Sequence, residues 1–275
     1  MQQIEIKGVT VPALGFGTWA LSGDGAYRAT RQALDLGYRH IDTAQIYGNE
    51  AEIGRAIRDS GISRAEIFLT TKIAPSQLRP GDVKRSHEES LKRLGLDRVD
   101  LLLVHWPNAA IPLGGTLAAL AELRAAGMTR TIGVSNFPVA LLKEAVERHG
   151  ADLLTNQVEY HPFLSQRALR QAMQHYGLML TAYAPVARGR VFTDRTLVAI
   201  GKKYGKSGGQ VALRWLLDQG KVCAIPKAGQ RAHAEANLAI FDFTLSAEDR
   251  VAIDDLAEGD RMVEWAGYTP DWDRG

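Results

Sequence analysis

The sequence predicts an α/β fold: a closed (β/α)8 TIM barrel with an N-terminal β-hairpin and a C-terminal loop. Three observations carry that prediction. Eight apolar runs of strand length recur along 275 residues. Stretches with apolar residues near every third or fourth position lie between them, the period of an amphipathic helix. No Pro- or Ser-rich linker divides the series, so residues 1–275 are read as one domain. Strand then helix, repeated, implies parallel strands joined by helical crossovers, and near-continuous apolar strands suit a sheet covered on both faces. An open, doubly wound sheet is the alternative reading.

The elements follow in order. IEIKGVTV, Ile4 to Val11, alternates about Lys7-Gly8 as a hairpin does. The eight runs are LGFGT (14–18), RHIDT (39–43), IFLTTK (67–72), VDLLLVH (99–105), RTIGVS (130–135), TNQVEY (155–160), LMLTAY (178–183) and VCAIPK (222–227). Helical periodicity is clear in AEIGRAIRDSG (51–61), ALLKEAVERHG (140–150) and QRALRQAMQHYG (166–177). Gly37, Gly61, Gly127, Gly150 and Gly177 stand where left-handed helix caps are expected. The final stretch, EGDRMVEWAGYTPDWDRG (258–275), loses the helical period and gains Gly, Pro and Trp, and reads as a loop.

Composition narrows the function classes. The longest apolar runs, such as Val99 to Trp106, are far shorter than the roughly 20 residues that cross a bilayer. The N-terminus lacks a basic segment followed by a sustained apolar one, so no secretory leader is expected. A single cysteine, Cys223, excludes an intrachain disulfide framework and fits a reducing, cytoplasmic setting. The net charge of +2 is spread without a Lys/Arg block, so neither nucleic acid nor an anionic membrane is an expected partner. A small molecule is.

In a barrel, function collects at the C-terminal ends of the strands. The second run ends in Asp42 with Tyr47 in the loop beyond it, the third in Lys72, and the fourth in His105 before Trp106-Pro107. A metal site is the first possibility, because His40 and Asp42 are two apart and share one side of a strand. It lacks partners: only His105 or His161 is at hand, and Lys72 would repel a divalent cation. No metal is expected, and His40 is read as a structural histidine. Proton transfer uses all four groups. A nearby ammonium, from Lys72, favours phenolate at Tyr47, Asp42 would keep that ammonium charged, and His105 would orient a substrate oxygen. Each residue alone has a plain explanation as turn cap, loop aromatic or strand terminus. Together at successive strand ends they describe an acid that protonates a developing alkoxide.

GYRHIDTAQIYGNE (37–50), TTK (70–72), LLLVHWP (101–107), GVSNF (133–137) and NQVEYHP (156–162) resemble the aldo-keto reductase family. The resemblance runs from Leu14 to Asp249, and the ending RMVEW…PDWD is most similar to the bacterial branch of 2,5-diketo-gluconate reductases B, also described as methylglyoxal reductases. It implies an NADP-dependent oxidoreductase with Asp42, Tyr47, Lys72 and His105 as catalytic tetrad and Tyr47 as general acid. It also implies NADPH as hydride donor, bound across the barrel mouth without a Rossmann fingerprint. Thr18, Trp19 and Asp42 would lie against the cofactor, Ser135, Asn136 and Gln157 would hold its carboxamide, and Tyr183 would stack on its nicotinamide. Ala184, Pro185, Val186 and Arg188 would cover the pyrophosphate, and Ile225, Pro226, Lys227, Ala228, His233 and Asn237 would hold the adenosine end.

The sequence departs from the family pattern in three places. Ala228 replaces a common serine, Ala236 a frequent glutamate, and His233 the arginine of NADPH-preferring members. Histidine cannot form a bidentate fork on a 2'-phosphate, so some tolerance of NADH is expected, with Arg231 as a compensating cation. Trp19, Ile46, Tyr47, His105, Trp106 and Trp265 are the expected substrate walls, with Tyr268 and Trp272 as further candidates; the terminal tryptophans otherwise read as anchors for a loose tail. Small carbonyl compounds, keto-sugar acids or 2-oxoaldehydes such as methylglyoxal, are the implied substrates, acted on by a monomer. Two other readings stand beside this one: a nucleotide-binding regulatory subunit on the same barrel with incidental turnover, and a metal-dependent hydrolase.

Overall fold

Strands β1 (Gln3–Ile6) and β2 (Val9–Pro12) pair antiparallel with Ile6 opposite Val9. Lys7 and Gly8 both take positive φ between them, as a two-residue hairpin turn requires. The structure is a computed structural model and describes residues 2–273, so the last two residues of the predicted C-terminal loop lie outside the described residues. Lys7 Nζ donates to Leu153 O at 2.8 Å and to Asp152 Oδ1 at 3.0 Å, which sets the hairpin at the end where the parallel strands begin. It is a floor, opposite the predicted site.

Eight strands follow in one parallel sheet: β3 (Phe16–Gly17), β4 (His40–Asp42), β5 (Phe68–Ile73), β6 (Val99–Val104), β7 (Thr129–Ser135), β8 (Leu153–Glu159), β9 (Met179–Tyr183) and β10 (Val222–Ala224). Neighbours in sequence are neighbours in the sheet. The first and last strands then meet. Gly15 N donates to Ala224 O (2.8 Å), Ala224 N to Ala13 O (2.9 Å) and Gly17 N to Pro226 O (3.1 Å). These bonds close the barrel and exclude the open sheet. Both seam strands are shorter than the apolar runs that predict them, because their flanking residues bridge singly, Leu14 to Ala224 and Gly17 to Lys227. A Cβ on Gly17 would sit 2.7 Å from Ile225 O, which is why glycine stands at the seam.

Helices α1 (Gly23–Asp35), α2 (Glu50–Asp59), α3 (Pro80–Leu94), α4 (Leu113–Ala125), α5 (Val139–Lys143) and α6 (Arg167–His175) make the first six crossovers. Two helices, α7 (Arg195–Tyr204) and α8 (Gly208–Leu217), join β9 to β10, and α9 (Arg231–Leu238) and α10 (Ala247–Asp254) follow. The five predicted glycine caps all have positive φ. The predicted 140–150 helix is regular only to Lys143, and Glu144–Arg148 continue as a wider π turn. Residues 257–273 form no helix or strand, as the loss of periodicity predicts.

Alternation along the strands sorts side chains between barrel interior and helix layer. His40 and Asp42 on β4, Thr70 and Lys72 on β5, and Gln157 and Glu159 on β8 share the interior face. Thr71 faces the opposite way, and its Oγ1 donates to Glu50 Oε1 on α2 at 2.6 Å.

Candidate active site

Asp42 ends β4, Lys72 lies one residue before the end of β5, and His105 follows β6 directly, so adjacent strands deliver the three side chains to one mouth. Tyr47 arrives from a 3-10 turn, Gln45–Tyr47, just beyond β4. That turn is held on both flanks. Gln45 accepts from Ala74 N (2.9 Å) and donates to Ser86 O and Ser90 Oγ (both 3.0 Å). Asn49 donates to Thr18 O (3.0 Å) and Leu21 O (2.9 Å) and accepts from Thr43 Oγ1 (2.7 Å). Gln45 and Asn49 have no other signal in the sequence than being polar residues on either side of the tyrosine.

Lys72 is fully buried and its ammonium donates three ways: to Asp42 Oδ1 at 2.5 Å, to Thr43 O at 2.9 Å and to Tyr47 Oη at 3.4 Å. Burial pulls the lysine down from its ordinary pKa and the Asp42 carboxylate opposes that. The second Asp42 oxygen accepts from Gln157 Nε2 at 2.8 Å. The carboxylate is therefore fixed on both sides.

The phenol of Tyr47 corrects one expectation. Burial, and then the Asp42 charge, hold it well above its ordinary pKa rather than below it. Burial is the larger cause, and Lys72, whose charge is paired with a carboxylate at 2.5 Å, does not offset it. Tyr47 is a fully protonated donor in this state. Burial and Lys72 push His105 well below its ordinary pKa, so its imidazole is neutral at pH 7. Among the described residues His105 Nδ1 is buried without a partner, which leaves Nε2 to meet a ligand. Its ring stands edge-on to Tyr47 with centroids 5.6 Å apart.

His40 lies below, with Nε2 at 3.2 Å from Thr70 Oγ1 and Nδ1 between Pro12 O (3.4 Å) and Cys223 Sγ (3.5 Å). Burial lowers its pKa. It is a packed, hydrogen-bonded histidine, and among the described residues no three His, Cys, Asp or Glu side chains gather as metal ligands.

Of the residues expected to hold a cofactor, Thr18, Ser135, Asn136, Gln157 and Tyr183 lie at strand ends of the same mouth, with their hydrogen bonds partly committed. Thr18 Oγ1 donates to Asp42 O at 3.0 Å. Ser135 Oγ donates to Gln157 O (2.8 Å), Asn136 Nδ2 donates to His105 O (2.9 Å) and Ser135 Oγ (3.0 Å), and Tyr183 Oη donates to Asn136 Oδ1 (2.7 Å). Gln157 Oε1 takes no hydrogen bond among the described residues. Asn136 is left-handed, as are Ala184 and Arg188 in the loop after β9, where Pro185 is buried, Val186 half-buried and Arg188 exposed. Pro226 serves the seam through its carbonyl, which accepts from Gly17 N, and Ile225 N donates to Ala182 O on β9 at 3.1 Å. Ala228 is buried and Asn237 half-buried, while Lys227 and His233 are exposed and paired with no carboxylate among the described residues. Arg231, the expected compensating cation, is exposed, and its Nε contacts Glu235 Oε1 one turn along α9 at 3.0 Å.

Of the substrate walls, Trp19 and Ile46 are 58% and 45% exposed beside the mouth. Trp106 is only 4% exposed, because Trp265 and Trp272 stand edge-on to it with centroids 6.3 and 6.2 Å away. Trp265 also meets His105 at 6.2 Å and Tyr268 at 5.1 Å. Trp265 and Trp272 are packed against the site.

The chain is similar to known proteins over most of its length. Residues 13–258 match the Aldo/keto reductase family. The chain is 40% identical over 268 residues to the methylglyoxal reductase DkgB of Salmonella typhi, covering 96% of this chain and all of that one. It is 41% identical over 254 residues to an aldo-keto reductase of Mycobacterium avium, covering 92% and 89% of the two chains. Among solved structures, a candidate 2,5-diketo-D-gluconic acid reductase B superposes with a TM-score of 0.97 at 46% identity, covering 100% of this chain and 98% of that one. The aldose reductase of Schistosoma japonicum superposes with a TM-score of 0.92 at 30% identity, covering 98% and 96%.

Proposed function

The chain belongs to the aldo/keto reductase family, and from that premise we propose that it reduces small aldehydes or ketones to alcohols with NADPH, Tyr47 supplying the proton. The observation that carries this reading is the Lys72 ammonium set between Asp42 Oδ1 and Tyr47 Oη, with a neutral His105 beside the phenol. When bound in the mouth, the nicotinamide supplies a hydride to the carbonyl carbon.

The chain's own residues do the rest. His105 Nε2 donates a hydrogen bond to the carbonyl oxygen and fixes which face of the carbon is presented. As negative charge builds on that oxygen, the Tyr47 O–H bond breaks and its proton closes the alcohol. Lys72 stabilises the phenolate left behind, and Asp42, held by Gln157, keeps the lysine aimed. A raised phenol pKa suits this role, because the acceptor is an alkoxide, a base strong enough to take the proton. The half-buried Tyr183 ring and Gln157 Oε1 suit a planar carboxamide-bearing ring. Exposed Lys227 and the N-terminus of α9 suit a phosphate. Apolar walls with few polar groups suit small substrates, of which methylglyoxal and 2,5-diketo-gluconate are the first to try, since relatives carry those names.

The test follows NADPH oxidation with both substrates for wild type and Tyr47→Phe. Removing the hydroxyl is expected to cost about 10²- to 10⁴-fold in kcat. A wild type that binds NADPH but turns over nothing across a broad carbonyl panel would instead favour a regulatory, nucleotide-sensing role. A phenylalanine variant at full rate would remove Tyr47 as the acid.

A further inference from the structure

Glu159 is fully buried at the end of β8, on the interior face with Gln157, and takes no part in the chemistry above. Its two oxygens accept consecutive backbone amides of the C-terminal loop: Met262 N on Oε1 at 2.8 Å and Val263 N on Oε2 at 3.0 Å. His161 Nε2 lies 3.0 Å from Oε1, and the Arg261 guanidinium is 4.0 Å from Oε2. A buried carboxylate that accepts a pair of adjacent amides fixes the orientation of the loop as well as its position.

The tethered loop then runs directly to Trp265, the indole that meets catalytic His105 and covers Trp106. Its other end is held where Asp273 accepts from Val139 N at 3.0 Å. A further contact, from Arg190 to Glu258 and Asp260, is half-exposed, and such pairs add little rigidity. Resting on the reductase reading, we propose that Glu159 is a positioning residue for substrate recognition: it holds residues 262–265 so that Trp265 forms a fixed wall against the carbonyl substrate. One strand thereby serves both sides of the reaction, Gln157 steadying Asp42 and Glu159 steadying the wall.

Glu159→Gln keeps the shape but offers an amide N–H₂ where one loop amide needs an acceptor. Val263→Pro removes one of the two donors from the loop side and leaves the barrel interior untouched, so it serves if the first variant folds poorly. Kinetics with methylglyoxal and with a phenyl-substituted aldehyde are expected to show KM raised roughly tenfold, the equivalent of one lost charge-assisted hydrogen bond, with kcat within about twofold. Limited proteolysis should cut within 258–273 sooner in both variants. In a Trp265→Ala background, Glu159→Gln should raise KM no further.

A fall in kcat at unchanged KM, or a KM effect that persists in full without Trp265, overturns the proposal. Absence of wild-type turnover sinks the reductase reading instead. Proteolysis then still decides the tether, since unchanged cleavage in both variants rejects it.

Discussion

Tyr47 and Lys72 illustrate how a neighbour's charge depends on what else it touches. The sequence places an ammonium near a phenol, and the elementary expectation is a lowered phenol pKa. With Asp42 at 2.5 Å from the lysine, burial prevails and the phenol is raised. The same burial leaves His40, His87 and His105 with lowered pKa values. Each binds fewer protons folded than unfolded below about pH 6.5, so stability rises with pH across that range and is lost as pH falls. Thermal melts between pH 7.5 and 5.0 should show a falling Tm, and His87→Gln, which keeps a donor for Met128 O, should flatten that slope. An equal slope in the variant would exclude His87 as a contributor. At the rim proposed to hold the adenosine phosphate, His233→Arg adds a bidentate fork to the exposed Lys227 cation and should favour NADPH over NADH by roughly tenfold. Dissociation constants for both nucleotides decide it; no gain would remove His233 as the cause of any NADH tolerance.

At the scale of elements, the helix layer is read from periodicity and its contacts are not. The apolar spacing of 51–61 predicts α2, but nothing in that spacing says why Gly54 sits inside a helix, where it costs about 1 kcal/mol relative to alanine. The structure supplies the reason: a Cβ there would lie 1.9 Å from Leu94 O, so α2 and α3 touch backbone to backbone. Gly54→Ala should therefore destabilise by about 1–3 kcal/mol despite alanine's better helix propensity, as measured by urea denaturation. A neutral or stabilising change would mean the helices part without penalty. The turn carrying Tyr47 shows the same limit. Gln45 and Asn49 are polar residues in a polar loop until Ala74, Ser86 and Ser90 on one side and Thr18, Leu21 and Thr43 on the other are seen to hold them.

For the whole molecule, closure is the feature on which the site depends. β3 carries Gly17 beside Asp42, and its other neighbour is the last strand of the barrel. Gly17→Ala would press a methyl group to 2.7 Å from Ile225 O and disturb the seam that places Thr18 and Lys227 on the same rim. A drop in Tm together with weaker nucleotide binding is expected. Lost stability with unchanged binding would separate the seam from nucleotide binding.

Eight apolar runs, their helical spacers and four reactive side chains at strand ends were legible along the chain, because period and strand position are local properties of sequence. Family membership follows from the same ordered motifs. The direction of the Tyr47 shift, the commitment of Gln157 to Asp42 and the tether from Glu159 to a loop more than 100 residues later were not. They depend on which groups share a low-dielectric interior and at what distance, and only the closed barrel brings those groups within hydrogen-bond reach.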